Sequence, residues 1–371
     1  MNNVIGVIFA DSHYTNINEL TKVRPLAALP ISGRYRIVDF VLSNMVNSGM
    51  INVAVVTQNN YHSLMGHLGS GKHWNLARKR YGLTLFPPFS NLSSTGSDSR
   101  IDILYGVLDF LKRSKQEYVL LAESHVVANR TFNELFEQHK HSNADITVVC
   151  KTIEENEASD PLETYIYTDE NGNVTSVEQG ENLANANSKY FGYVLINKQV
   201  LISIIERSKV RGKKGYLTNL IVRNIGALNI KTYNFDGYGK MVKSVDDYYN
   251  ISMDILTKEV RDELFNKHHP IYTKDKDSTP TRYLSNAKIN NSLIADGCVI
   301  DGTVVNSIVA RGVRVKKDCV IENSIIMQQS DIGEGVHLRN VIADKKVIVR
   351  DNKELVGTEQ FPIVVGKGRI I

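Results

Sequence analysis

Short apolar runs alternate with amphipathic stretches from the first residues to Phe265. Val4–Ala10, Val53–Thr57, Tyr118–Ala122 and Asp145–Cys150 have the composition of buried strands. Asp39–Asn47 is expected to be helical, because Phe40, Val41 and Met45 fall on one face, and Asp102–Lys112 and Asp254–Phe265 are expected to be helices too. Strand, helix, strand in this rhythm predicts an α/β fold, a doubly wound and mostly parallel sheet with helices on both faces. Ligands of such sheets sit beyond the carboxyl ends of the strands, here the loops after Ala10, Thr57 and Ala122. His268–Pro280 is polar and carries two prolines, as a linker would.

Beyond the linker the period changes to six. Ile294 and Ile300; Val309, Val315 and Ile321; Ile326, Ile332 and Leu338; and Ile342 and Ile348 form one frame, with coil starts spaced 15, 17 and 16. Gly297, Gly302, Gly312, Gly333 and Gly335 fall between the apolar positions, where tight corners need a permissive backbone. This pattern predicts a left-handed parallel β-helix of hexapeptide repeats, each coil burying its apolar face on the next. His337 is the only histidine among the coils and is expected at the surface. The expected organisation is therefore residues 1–265 as the α/β domain, 266–284 as linker and 285–371 as the β-helix.

Composition narrows the possibilities. A chain of 371 residues, 42% hydrophobic and 23% charged, is an ordinary globular one, and no apolar run approaches the ~18 residues of a spanning helix. The opening residues lack a basic region and a small-residue cleavage site, so no secretory signal is expected. Cys150, Cys298 and Cys319 are too few and too odd for a disulfide framework, which points to buried thiols in a reducing, cytoplasmic setting. A net charge of +4 argues against nucleic acid as the main partner, and no membrane partner is expected. One stretch departs from the balance. Between Asp39 and Asp98 there is no acid, while Lys72, Arg78, Lys79, Arg80 and three histidines are present. That stretch is either a solvated face or a surface that meets an anion or an acidic partner.

The run Ser32-Gly-Arg-Tyr-Arg-Ile-Val-Asp-Phe-Val-Leu-Ser-Asn44 resembles the GGKYRIIDFxLSN run of glucose-1-phosphate adenylyltransferase. Asn47-Ser-Gly49, Val56-Thr-Gln58, Gly71 with Trp74, Pro87-Pro88, Asp246-Asp247-Tyr248-Tyr249 and Met253-Asp254 extend the resemblance over nearly the whole chain. It implies a nucleotidyltransferase-like (Rossmann-like) domain followed by the β-helix. The family's chemistry is attack of glucose 1-phosphate on the α-phosphate of ATP, which needs metal ions, lysines and a glycine-rich loop around a charged centre.

Residue by residue, those groups are missing. Where the family reads AGGxGxRLxxLT, Asp11, Ser12 and Tyr14 replace the three glycines and Asn16 the arginine. A carboxylate at Asp11 would repel a triphosphate by about 4 kcal/mol at ~4 Å and surface-like dielectric. Leu26 replaces the lysine of KPAVP. Ser99-Arg-Ile-Asp-Ile103 keeps only Asp102 of GTADA, the motif near base and ribose. His125 and Met241 stand at the two metal-binding aspartates, and Gln179 at the lysine of EEKP, whose glutamate survives as Glu178. The pattern resembles the GlgD-type subunit of bacterial glycogen synthesis. That resemblance implies no catalytic residues, no cofactor although catalytic relatives use Mg²⁺, a catalytic adenylyltransferase sister subunit as partner, and homo- or hetero-tetramers. A working adenylyltransferase with an atypical site and a stand-alone sugar-phosphate sensor are the alternatives. The resemblance places an anionic effector, a sugar phosphate or phosphate, on Arg24, Arg36 and Arg339, with Val23 and Pro30 standing where some relatives are basic.

Overall fold

The computed structural model describes residues 1–10, 16–57, 60–87, 100–153, 160–180, 186, 188–210, 221 and 223–371. Asp11, Ser12, Tyr14, Gln58, Pro88 and Ser99 lie outside the described residues. The chain divides into two compact units. One comprises 1–13, 41–61 and 68–241; the other comprises 14–40, 62–67 and 242–371. The second unit thus claims two segments that the strand pattern assigns to the N-terminal domain.

The first unit is built on a nine-stranded sheet. Val4–Phe9 pairs in parallel with Asn52–Val56 on one side and Tyr118–Glu123 on the other, and Asn52–Val56 pairs in parallel with Gly82–Phe86. All six residues of Val4–Phe9 are buried, as a strand covered on both faces requires. Ser188–Asn197 runs antiparallel to Tyr118–Glu123 and carries the sheet on to Ile146–Thr152. The expected helix Asp102–Lys112 is two helices, Arg100–Gly106 and Leu108–Arg113, interrupted at Val107 (φ −101°, ψ 6°). Ile103, Leu104, Val107, Leu108 and Leu111 all enter the core under the sheet, so the break keeps both short helices packed.

In the second unit, three five-stranded parallel sheets form the faces of a β-helix. Its first strand, Arg282–Tyr283, pairs with Val299–Ile300, so the coils begin inside the segment expected as linker. The hexad frame holds through Leu338 and then slips. Ile326 pairs with Ala343 and Ile332 with Val349, each seventeen residues on. Ala343 and Val349 therefore point into the core, while Ile348 is exposed and Ile342 is covered outside the core cluster. A one-residue shift in a strand moves a side chain to the opposite face. At the corners, Gly297, Gly312 and Gly335 have positive φ, whereas Gly302 and Gly333 are needed for space, since a Cβ there would sit 2.7 Å from Cys319 O and 2.6 Å from Asp351 N. Asn291, Asn306, Asn323 and Asn340 take positive φ at another corner, a conformation asparagine tolerates.

Around the expected helix Asp254–Phe265 the chain has two: Val245–Asp254, which the pattern did not predict and which ends where the expected one begins, and Lys258–Leu264, which lies within the expected bounds. A reciprocal cap sets the start of the first: Ser244 Oγ accepts from Asp247 N, and Asp247 Oδ2 accepts from Ser244 N. Residues 30–36 form a hairpin, Pro30–Ile31 against Tyr35–Arg36. Gly33 at its tip (φ 74°) has Ala295 Cβ 3.4 Å from where a Cβ would stand, so the hairpin lies against a β-helix coil. Trp74 is fully buried in the first unit, and so cannot serve the surface that Lys72 and His73 suggested. The three cysteines are buried and free. Among the described residues no helix is long and apolar enough to cross a membrane.

Candidate functional site

The parallel strands of the first unit run outward on both sides of Val4–Phe9, so the topological switch point lies between its carboxyl end and that of Tyr118–Glu123. Phe9 and Glu123 are register partners there. Arg100, at the start of the Arg100–Gly106 helix, occupies this crevice. Its guanidinium carbon sits 4.5 Å from the centroid of the Phe9 ring, and Nη2 donates to Glu123 Oε2 at 2.7 Å. Arg100 is 1% exposed. In the resemblance this residue stands at the threonine of the base-and-ribose motif, so a stacked, ion-paired arginine fills the space beside the strands where a small hydroxyl would leave room.

The two positions that the resemblance sets at metal aspartates lie one residue apart across a short ladder. Met241 pairs with Val126, the residue next to His125, on a short antiparallel ladder. Met241 Cε is 3.6 Å from where a Cβ on Gly192 would stand, and His125 is buried. An imidazole and a thioether in place of two carboxylates do not fit Mg²⁺, which takes hard oxygen ligands. Gln179 ends the exposed edge strand Val174–Gln179, and Leu26 is buried in the short 3₁₀ helix Leu26–Ala28 of the second unit.

The second unit holds a cavity of about 380 Å³. Six cations line it: Arg34, Arg36, Lys274, Lys276, Arg311 and Lys345, against a single acid, Asp296. The hairpin supplies Arg34 and Arg36. Arg36 is held rigidly, with Nη1 donating to Ser63 O (2.7 Å) and Ser63 Oγ (3.0 Å) and its backbone N–H to Asp39 Oδ2 (2.9 Å). The other oxygen of Asp39 is 2.6 Å from His67 Nε2. Burial lowers the pKa of His67 in spite of that partner. Desolvation and the neighbouring Arg24 pull Arg36 down to about 10, against the opposing pull of Asp39, so it remains a cation at neutral pH. Burial, then Arg311, Arg36 and Lys274, lowers Lys276. Lys345 is depressed furthest, to about 7, first by burial and then by Arg36 and Arg24, with Asp344 opposing. So many like charges in one recess repel one another, and an anion bound there would relieve that cost.

Of the three arginines implied by resemblance, only Arg36 lines the cavity. Arg24 is buried, and its Nη2 donates to buried Asp344. Arg339 is exposed on the strand His337–Arg339, stacked between Glu322 and Val356 on a different face of the β-helix. The cations that sequence reasoning missed had a usable signal. Arg311, Gln328 and Lys345 recur at the seventeen-residue coil length and line one wall, directly after the stacked pairs Val309–Ile326 and Ile326–Ala343.

A doubly wound sheet with a switch-point crevice, joined in one chain to hexapeptide coils, defines the class of nucleotidyltransferases with a β-helix extension. Residues 5–256 match the family described as Nucleotidyl transferase, and 279–360 match the GlmU-like, C-terminal hexapeptide family. Over its full length the chain is 33% identical to a glycogen biosynthesis protein GlgD of Bacillus subtilis (strain 168) and 36% identical to one of Geobacillus stearothermophilus, covering 97% of each. It is 28% identical to a glucose-1-phosphate adenylyltransferase of Fervidobacterium nodosum, over 95% of this chain and 85% of that one. The chain belongs to the nucleotidyl transferase family and, within it, to the GlgD type.

Proposed function

We propose that this chain acts in glycogen biosynthesis as a cytoplasmic regulatory subunit without catalysis of its own. It joins a catalytic glucose-1-phosphate adenylyltransferase subunit in a mixed oligomer and raises the output of ADP-glucose. The observation that carries the proposal is the buried Arg100–Glu123 pair at the switch point, at a position that the resemblance sets near base and ribose. His125 and Met241, one residue apart across the short ladder, support the same reading. The relatives named above include both GlgD proteins and adenylyltransferases, which suits a subunit that shares the enzyme's architecture.

The cation-lined cavity is the proposed receptor for an anionic effector, a sugar phosphate or inorganic phosphate. Arginine forks bind phosphate oxygens in pairs, and charge-assisted bonds contribute about 1.5–3 kcal/mol each. Two assays test the proposal. The pure chain, given ATP, glucose 1-phosphate and Mg²⁺, is expected to make no ADP-glucose, whereas the mixture with the catalytic subunit exceeds the catalytic subunit alone. Robust turnover by the pure chain would overturn the reading. In the mixture, Arg36→Ala is expected to weaken the response to sugar phosphates by roughly tenfold or more, since ~1.4 kcal/mol is tenfold.

A further inference from the structure

Lys345 differs from the other cations of the cavity. Lys274 is engaged, its Nζ donating to Gly66 O at 2.7 Å. Arg34, Arg36 and Arg311 carry delocalised charge and are not nucleophiles near neutral pH. Lys345 stands at the wall with Arg36, Arg311 and Lys276 around the same recess, and Asp344, the acid beside it in sequence, is taken by Arg24. A primary amine thus shares a small cavity with guanidinium forks suited to a phosphate group.

We propose that Lys345 is a modification site for acyl phosphates: the cavity cations hold the phosphate end, and the lysine amine takes the acyl group. The neutral Nζ lone pair attacks the carbonyl carbon, forming a C–N bond. The bond from that carbon to the phosphate oxygen then breaks. The oxygen leaves with the electron pair and takes up the proton released by the amine, so the products are Nζ-acyl lysine and hydrogen phosphate. No oxidant, reductant or metal is needed. The amine is available in neutral form because burial and the charges of Arg36, Arg24 and Lys276 bring Lys345 down to about 7, with Asp344 opposing. An ordinary lysine near 10.4 is almost entirely protonated at the same pH. Acylation removes one cation and puts the acyl group into about 380 Å³ of space, so it would weaken the anion binding proposed above, on which this inference rests.

The test treats the full-length chain with acetyl phosphate at pH 7.5 and follows each lysine by peptide mass spectrometry. Lys346, the next residue and exposed, is the internal comparator. Lys345 is expected to acetylate about tenfold or more faster than Lys346, and added inorganic phosphate is expected to slow Lys345 but not Lys346. Acetic anhydride, which carries no phosphate, should show a smaller preference. Equal rates at the two lysines, or a preference for Lys345 that phosphate leaves untouched, would overturn the proposal. A parallel thermal melt with phosphate separates the two readings. Stabilisation by phosphate with equal labelling rates rejects the modification alone, whereas no stabilisation and equal rates reject the anion cavity as well. Arg311→Gln keeps Lys345 and is expected to lower its rate with acetyl phosphate toward that of Lys346; an unchanged rate would reject the phosphate-guided step.

Discussion

Arg100 shows how one side chain sets the charge and packing of a crevice. Its positive charge is balanced by Glu123, and its flat guanidinium lies on an apolar ring, so the charge is compensated within the chain. Arg100→Ala leaves a carboxylate in a buried setting with its strongest partner gone. The expected cost is about 3–5 kcal/mol, read by urea unfolding, and the double variant Arg100→Ala, Glu123→Ala is expected to recover much of it. A double variant as unstable as the single one would mean that packing on Phe9, and not the charge, sets the cost. His139 gives the first unit a pH dependence. It is buried, 2.7 Å from Thr147 Oγ1, and burial pushes its pKa down to about 4. The unfolded chain takes up that proton near 6.5, so over the window from 6.5 to 4 the unfolded state binds more protons and stability falls as pH falls. His139→Gln is expected to flatten the dependence of unfolding free energy on pH in that window, and an unchanged slope would assign the dependence to other groups.

At the scale of elements, the last coil of the β-helix supplies a sharp comparison. Val349 lies inside the core and Ile348, its neighbour, outside. Val349→Ala is expected to cost about 2 kcal/mol from lost burial and the cavity left behind. Ile348→Ala is expected to change stability by no more than about 0.5 kcal/mol. Equal costs in thermal or urea unfolding would show that the frame had not slipped. The same coil shows what the sequence made legible. Alternating strands and helices, and the six-residue period, follow from burial alone, so the doubly wound sheet and the β-helix are visible in the order of residues. Coil length is less visible, because both Ile342–Ile348 and Ala343–Val349 satisfy a six-residue apolar period; the pairing of Ile326 with Ala343 decides between them. The helix break at Val107 was hidden for a similar reason, since the two short helices keep one continuous apolar pattern. The departures from the family motifs at Leu26, His125, Gln179 and Met241 were legible because they lie in short runs of sequence. The cation cavity was only partly so: Arg36 belongs to a motif, whereas Lys274, Lys276, Arg311 and Lys345 come from an irregular segment and from coil corners whose stacking depends on register.

For the molecule as a whole, the two units handle charge in opposite ways. In the first, the positions that the resemblance sets beside a nucleotide carry an internal ion pair, an imidazole and a thioether. In the second, six cations line one cavity although burial, and after it the charge of neighbouring cations, lowers the pKa of Lys276, Arg311 and Lys345. Such an arrangement is costly in the empty protein, and an anion that binds only the folded state offsets that cost. The expected gain follows from linkage: at a ligand concentration of one hundred times Kd, stability rises by about 2.7 kcal/mol. Phosphate or a sugar bisphosphate is therefore expected to raise the melting temperature, in a saturable way, while sodium chloride at the same ionic strength raises it less. Arg311→Gln is expected to reduce the gain, because it removes a cation whose Nε, 3.9 Å from Asp296 Oδ2, makes no hydrogen bond of its own. Arg339→Gln, on another face of the β-helix, is expected to leave the gain intact. If Arg339→Gln abolished it and Arg311→Gln did not, the anion would be held elsewhere on the coils. Neither variant alters the first unit, so the Arg100–Glu123 pair is expected to persist in both, and the pure chain is expected to remain without turnover whichever anion is bound.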